Sequence, residues 1–509
     1  MIKNIYNTFR AILLALLVSL SVSSCLEKLP GDAIHESMSM KTFDDATQTL
    51  TGIYASYKSG ALYSGLLSLA PDIQADLVYA VDGNTNQYGN LWQWNILSTN
   101  SEIESVYSAL YKIIGQCNFF LGKIDEIKTN EIDDSKLTVL DYYTGEVYCA
   151  RAMAYSELVK CFCEAYNYET DGQNITSGES VQQLGVVLRD SYKTIEVAKR
   201  SSLKKSYEFI LSDLEKAEKL LDKRNDRAGN DYFTNASAHA IHSRVALNMG
   251  QWDMAIAHAD SLIEHKAFAL ADVRRDPYAQ MKMWHADSSP EIIWKVGFTP
   301  TSYGGALGQI FLNFNNDYRN FYPDYVPAQW IISAFEQADA RVPAWFEEHQ
   351  TGFSHRLTWP LLMKYFGNVD FIEQKIYHVS MPKPLRLAEQ YLIKAEALCQ
   401  LNRYSEASEV LNQLIKSRYS SGGGVNLPTD EKWLDVISQE RAKELYMEGF
   451  RLNDLKRWHR GFERRYQASC QKNGSSLKVE KDNPLFVWPI PKHEIEAPGS
   501  QVQPNPSNK

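Results

Sequence analysis

The string ERAKELYMEGFRLNDLKRW, residues 440–458, carries charged and apolar side chains at helical spacing. Leu445, Leu452 and Leu455, with Phe450 and Trp458 beside them, form an apolar stripe, while Glu440, Glu444 and Glu448 lie four apart on another face. The spacing predicts one amphipathic helix. Opposite charges recur every three residues from Glu448 through Arg451 and Asp454 to Arg457, so they can pair turn by turn along one edge. Carboxylates in such order also suit an acid/base pair or a metal site. The structural reading is preferred, because no His or Cys completes a ligand set and ion-pair networks shift titration as active sites do.

Around this string the chain has 509 residues, 44% hydrophobic and 23% charged, which bounds it to one large globular domain or several smaller ones. Its formal charge of −9 comes from 53 basic and 62 acidic residues with no long basic run, which argues against a nucleic-acid surface. At the N-terminus, Lys3 and Arg10 precede the apolar run 11–20, and small residues follow. That is the pattern of a secretory signal over residues 1–24, too short to span a bilayer, which takes about 20 apolar residues. Val22-Ser23-Ser24-Cys25 resembles a bacterial lipobox, so Cys25 is the expected acylated first residue of the mature chain, and residues 25–41, with Pro30 and Gly31, the tether behind it. Six cysteines remain: Cys117, Cys149, Cys161, Cys163, Cys399 and Cys470. Bridges are open to an exported chain, but apolar helical surroundings favour buried free thiols.

Helical periodicity dominates residues 42–270 and 385–509, interrupted by a turn-rich, amide-rich loop at 79–99. Within these parts one pattern occurs twice. Gly250-Gln251-Trp252 followed by Ala255 is echoed by Asn402-Arg403-Tyr404 followed by Ala407. Turn residue, polar residue, aromatic, two spacers and Ala is the turn of a tetratricopeptide helix pair: Ala admits close helix approach and the aromatic plugs the gap. Between the copies, residues 271–384 read as an insertion broken by Pro277, Pro290, Pro300, Pro323, Pro327, Pro343 and Pro360. From Trp284 to Phe366, 18 of 83 residues are aromatic, about 22% against 12% for the whole chain. Irregular, aromatic-rich backbone on a rigid helical frame suits a binding subdomain.

The order Glu-Arg, Glu-Leu, Glu-Gly-x-Arg, Asp-Leu, Arg-Trp in residues 440–458 closely resembles the signature helix of the SusD/RagB family of outer-membrane nutrient-binding lipoproteins. Further blocks agree: Tyr107, Tyr111, Ile114 and Asn118; Arg151, Ala152, Leu158 and Val159; PLRLAEQYLIKAEAL from Pro384; and Trp488-Pro489-Ile490-Pro491 before Glu494-Ile495. Cys163 stands where the family often has Gly, and Ala497-Pro498 where it has Asn-Pro. The resemblance implies a mostly α SusD-like fold with tetratricopeptide-like pairs as scaffold. It also implies a lipid-anchored surface protein that lids a SusC-like TonB-dependent barrel, delivers oligosaccharide to it, and breaks no bonds.

Catalytic signatures are missing: there is no GxSxG, HExxH, P-loop or dinucleotide fingerprint, and nothing calls for a cofactor. His239 and His242 can share a helix face and bind a metal, but no third ligand is spaced to help. Binding has more support. A sugar ring offers a C–H face and a hydroxyl rim, which call for flat aromatic platforms beside amides, acids or Arg. Trp92, Trp94 and Asn95 supply both in the 79–99 loop, with Asp76 just before it. By resemblance, glycan contacts come from this loop and from the insertion, where Tyr303, Tyr318, Arg319, Tyr322 and Trp330 are candidates by composition. Peptide binding on the same scaffold, as in some relatives, and surface glycoside hydrolysis remain alternatives.

Overall fold

The computed structural model describes residues 39–176, 179–192, 197–313, 320–353, 356–465 and 476–508. The expected signal segment, Cys25, most of the expected tether, Tyr318, Arg319 and Cys470 lie outside the described residues. Among the described residues there are twelve helices of seven residues or more, all but α8 outside the 271–384 insertion: α1 (Phe43–Tyr57), α2 (Leu66–Gln74), α3 (Ser101–Asn130), α4 (Asp134–Phe162), α5 (Leu203–Leu221), α6 (Asn235–Asn248), α7 (Trp252–Ile263), α8 (Ala279–His285), α9 (Leu387–Gln400), α10 (Tyr404–Arg418), α11 (Trp433–Glu444) and α12 (Arg451–Arg457). Among the described residues no helix is long and apolar enough to cross a membrane.

Local chemistry sets the helix starts. Thr42 and Asp45 close a reciprocal capping box on α1, and the side chains of Asn100, Asp133 and Ser202 accept first-turn N–H groups of α3, α4 and α5. Packing then joins the helices. The Arg151 guanidinium of α4 donates to Asp213 of α5 at 2.7 Å and to Asn118 of α3 at 2.7 Å, all three side chains buried. This explains why Arg151 and Asn118 stand out in helices otherwise filled with apolar groups. Cys117, Cys149, Cys161, Cys163 and Cys399 are buried free thiols.

The echoed turns are real and adjacent in space. Gly250 (φ +70°) and Asn402 (φ +60°) take the left-handed conformation that reverses α6 into α7 and α9 into α10. A Cβ at residue 250 would fall 2.6 Å from the Tyr168 side chain, so Gly is needed there on steric grounds as well. Ala246, Leu247 and Ala255 of the first pair share a small core with Ile393 and Ala397 of the second, and Arg244 forks onto Glu389 at 2.7 and 2.6 Å.

Residues 271–384 do not close a core of their own. Strands β1 (Val78–Ala80) and β5 (Tyr325–Pro327) pair antiparallel, with Tyr79 opposite Val326. In the scaffold β2 (Gln173–Thr176) pairs with β3 (Glu179–Gln182), while β4 (Ile292–Trp294) pairs with β8 (Leu385–Arg386), and β6 (Phe346–Gln350) with β7 (Thr358–Leu362). The apolar cluster containing Trp284, Phe311, Trp345 and Tyr365 is completed by Leu69, Ile73 and Val78 from before the 79–99 loop, by Trp92 within it, by Ala442 of α11 and by Tyr446 and Met447 just after that helix.

The expected single helix over 440–458 is corrected by the structure. α11 ends at Glu444, the chain turns through Met447 (φ +58°) and Gly449 (φ +82°), and α12 begins at Arg451. A Cβ at residue 449 would lie 2.1 Å from the Leu67 carbonyl oxygen, so the helix breaks where α2 crosses it. Of the three expected turn-by-turn pairs only Asp454–Arg457 forms, at 2.9 Å. The other charges reach far along the chain. Glu444 accepts from Arg341 (2.9 Å), Arg386 (3.0 Å) and Arg418 (2.9 Å), Glu291 pairs with Arg386 and Arg418, and Glu448 pairs with Arg386 and Lys364. Asp339 and Glu440 add Arg341 and Lys443, giving five acids and five bases in one buried, charge-balanced network. Burial alone would raise the Glu444 carboxyl; Arg418, then Arg386 and Arg341, hold it well below the usual range instead.

Asp72 of α2 caps the new helix start, accepting from Gly449 N at 3.1 Å and Arg451 N at 2.8 Å. Burial pushes its carboxyl from 3.8 up to about 7, against those two N–H groups. A raised folded value means a proton taken up on folding, so its contribution is greatest at low pH and is lost as pH rises from 3.8 to about 7. Asp72→Asn should therefore flatten the fall in stability across that window, measured as denaturant midpoints at both ends. An unchanged slope would show that Asp72 stays ionised.

Candidate functional site

The scaffold loop after β1 is tied to the segment around β5. Val81 N donates to the Asp324 carbonyl, and Thr85 N and Oγ1 donate to the Asp324 carboxylate at 2.7 and 2.6 Å. Tyr325 Oη donates to the Gln87 carbonyl at 2.8 Å. Asn86 and Tyr88 adopt positive φ, which lets the loop turn twice in a few residues before a short helix, Gly89–Trp92. The exposed side chains of this loop include Asn86, Gln87, Asn90, Gln93 and Asn95.

Both loop tryptophans point the other way, correcting their expected role as platforms. Trp92 is fully buried, with the Arg464 guanidinium 4.4 Å over its ring and Tyr325 beside it. Trp94 is 9% exposed; its Nε1 donates to the Gln74 carbonyl at 2.6 Å and its ring meets Phe486 edge to face at 5.1 Å. Neither ring offers an open face. Asp76 is likewise engaged inside: Arg451 forks onto its carboxylate at 2.8 and 2.9 Å, and its carbonyl accepts from Trp330 Nε1 at 2.6 Å. Arg451 in turn lies 5.4 Å over the half-buried Trp330 ring, so Asp76, Arg451 and Trp330 form one structural unit. Asn95 keeps an exposed side chain. Tyr303, 45% exposed, stacks edge to face on Phe371 next to Ser302, which receives Lys58, and shares neither partner with the loop.

Tyr322 is the insertion candidate that meets the loop. Its half-buried ring stands edge to face with Phe353 at 5.4 Å, and Phe353 packs on Gly83 at the loop's first turn. Gly352 makes this possible, because any Cβ there would come within 2.3 Å of the Tyr322 ring. Phe353 was not singled out by composition. Its position beyond β6, where an aromatic follows Gly in the turn toward β7, was the available signal.

A concavity of about 640 Å³ opens elsewhere, between the end of α4, the α6–α7 turn and the end of α12. Tyr168 and Trp252 meet in it edge to face at 5.3 Å, and Trp458 lies half-buried on its wall, donating through Nε1 to Glu396 at 2.7 Å. Asn167, Asn248 and Gln400 supply amides, while Glu164, Glu169 and the His459–Asp482 pair bring charge. Lys456 at its floor is buried, which pushes its amine down to about 8, and it donates to the Lys160 and Cys163 carbonyls. Nothing in the sequence marked this cleft, since Trp252 and Trp458 read as packing residues.

Comparison with known proteins decides the family. A SusD family model matches residues 346–507, and a model described as starch-binding, associating with the outer membrane, matches residues 26–247. The chain belongs to the SusD-like family. A SusD-like protein of Formosa agariphila is 25% identical, covering 91% of this chain and 92% of its own length. A SusD superfamily protein of Bacteroides thetaiotaomicron superposes with a TM-score of 0.76 at 23% identity, covering 91% of this chain and all of that one. A Bacteroides vulgatus protein named as a candidate sugar-binding protein gives 0.75 at 25% identity, covering 93% of this chain and all of that one. SusD-like proteins are a carbohydrate-binding, outer-membrane-associated family, and the helical frame described above is their fold.

Proposed function

We propose that this chain captures oligosaccharide at the cell surface and passes it to a SusC-like TonB-dependent barrel without breaking bonds. Acylated Cys25 would hold it to the outer membrane. One observation carries the reading: Tyr322 and Phe353 form an aromatic corner that meets Gly83 of the loop whose exposed side chains include the amides Asn86, Gln87, Asn90 and Asn95. A sugar ring stacks its C–H face on such a corner while the amides donate to and accept from its hydroxyls. Tyr318 and Arg319 belong to the same proposal through their place in the chain just before Tyr322.

Glycan-array binding, followed by calorimetry with the retained glycan, tests it. Each of Tyr322→Ala and Phe353→Ala removes a ring burying about 1.5–3 kcal/mol of apolar surface, so Kd should rise roughly ten- to a hundredfold. Unchanged affinity in both would remove this face from the site. Reducing-sugar release from a bound polymer would overturn the non-catalytic assignment.

A second reading, peptide capture, is favoured by the cleft around Trp252, whose rim mixes rings with both signs of charge. Peptide-library binding that is lost in Trp252→Ala, with no glycan retained, would replace the glycan reading. Co-purification of a barrel encoded by the neighbouring reading frame tests the partner.

A further inference from the structure

Away from both places, three helices bring four metal-ligating side chains to one point. Glu218 leaves α5, His239 and His242 leave α6, and His258 leaves α7. The third ligand that spacing along α6 could not supply thus comes from the partner helix across the Gly250 turn. Glu218 Oε1 lies 2.8 Å from His242 Nδ1 and 3.6 Å from both His239 Nδ1 and His258 Nδ1. His239 Nδ1 and His258 Nδ1 are 2.7 Å apart, and the His242 and His258 rings stack at 3.6 Å.

We propose that Glu218, His239, His242 and His258 form a binding site for one divalent transition-metal ion of the zinc class. Four ligands around Zn²⁺ at about 2.0–2.1 Å stand roughly 3.3 Å from one another in a tetrahedron. The distances from Glu218 Oε1 to the three imidazoles and from His239 Nδ1 to His258 Nδ1, 2.7 to 3.6 Å, straddle that value, and Glu218, His242 and His258 alone bring ligand atoms within 4.8 Å of one another, so side-chain rotations admit the ion. Three imidazoles and one carboxylate are borderline donors, which select Zn²⁺, Co²⁺ or Ni²⁺ over Ca²⁺ and Mg²⁺. Neutral imidazole is the form that binds metal. An open hollow lined by Glu215, Glu218, Lys219, Asp222, Asn235 and His239, three acids against one lysine, gives entry from solvent. The ion would pin α7 to α5 and α6, stiffening the first tetratricopeptide-like pair.

The tag-free full chain should take up one Zn²⁺, with a higher Tm in Zn²⁺ than in chelator and no such rise in Ca²⁺ or Mg²⁺. Co²⁺ should give the intense visible bands of a tetrahedral nitrogen-rich site. His258→Gln and His239→Gln should each abolish the Tm rise and the bands while leaving the chelator-treated Tm near that of the parent. If a variant does not fold, the Co²⁺ spectrum of the parent chain still decides. A colourless Co²⁺ form with no zinc-linked rise, or uptake unchanged by both substitutions, would overturn the site and leave a hydrogen-bonded imidazole stack.

Discussion

Glu444→Ala should cost about 3–5 kcal/mol of stability, the range for removing one partner from a buried ion network. The reason is what it leaves behind. Arg341, Arg386 and Arg418 are each at most 2% exposed, and all three donate to this one carboxylate. Glu291, Asp339 and Glu448 would still hold them, but five bases would then face four acids with no water to screen the surplus. Glu444→Gln should cost less than Ala yet remain destabilising, since its amide turns a donor toward guanidinium groups. Because the folded carboxyl sits well below its unfolded value of 4.5, its contribution holds above that pH and is lost as pH falls through the folded value. Denaturant midpoints near neutrality measure the effect. A Glu444→Ala midpoint equal to the parent's would show that water reaches the network.

Trp92→Ala should be nearly as severe, about 3–5 kcal/mol, the range for emptying a buried large aromatic site. The ring fills the seam where α2, β1 and β5 meet, and it covers the Arg464 guanidinium, whose further donors Nε and Nη1 are buried without partners. Removing the ring exposes that guanidinium to a cavity. Glycan affinity, measured on the folded fraction, should stay close to the parent's. Loss of affinity without loss of stability would return Trp92 to the site and undo its assignment to the core.

These two residues also show where the sequence could and could not be read. Helices, the echoed turns and the family follow from periodicity and motif order, which are local quantities. The break inside 440–458 was hidden because the charge and apolar spacing continues across it; Gly449 was the one local signal, and only the Leu67 carbonyl pressed against it makes the break necessary. The carboxylates look like a surface ladder because their partners, at residues 341, 364, 386 and 418, are invisible to spacing. Trp92 and Trp94 failed for a related reason: an aromatic among amides reads as a platform until Arg464 and Phe486 arrive to cover it. Tyr322 was found by composition, whereas Phe353 needed the three-dimensional meeting of two turns.

The Asp72 and Asp76 contacts to Arg451 span 379 and 375 residues of chain. A chain synthesised N-terminus first presents α2 and β1 long before Arg451, and closing so long a loop is entropically slow. Until then an apolar strand edge and two acids wait without their partners, open to aggregation. The two acids that tie α2 and β1 to the C-terminal part are therefore matched only once residue 451 has joined them.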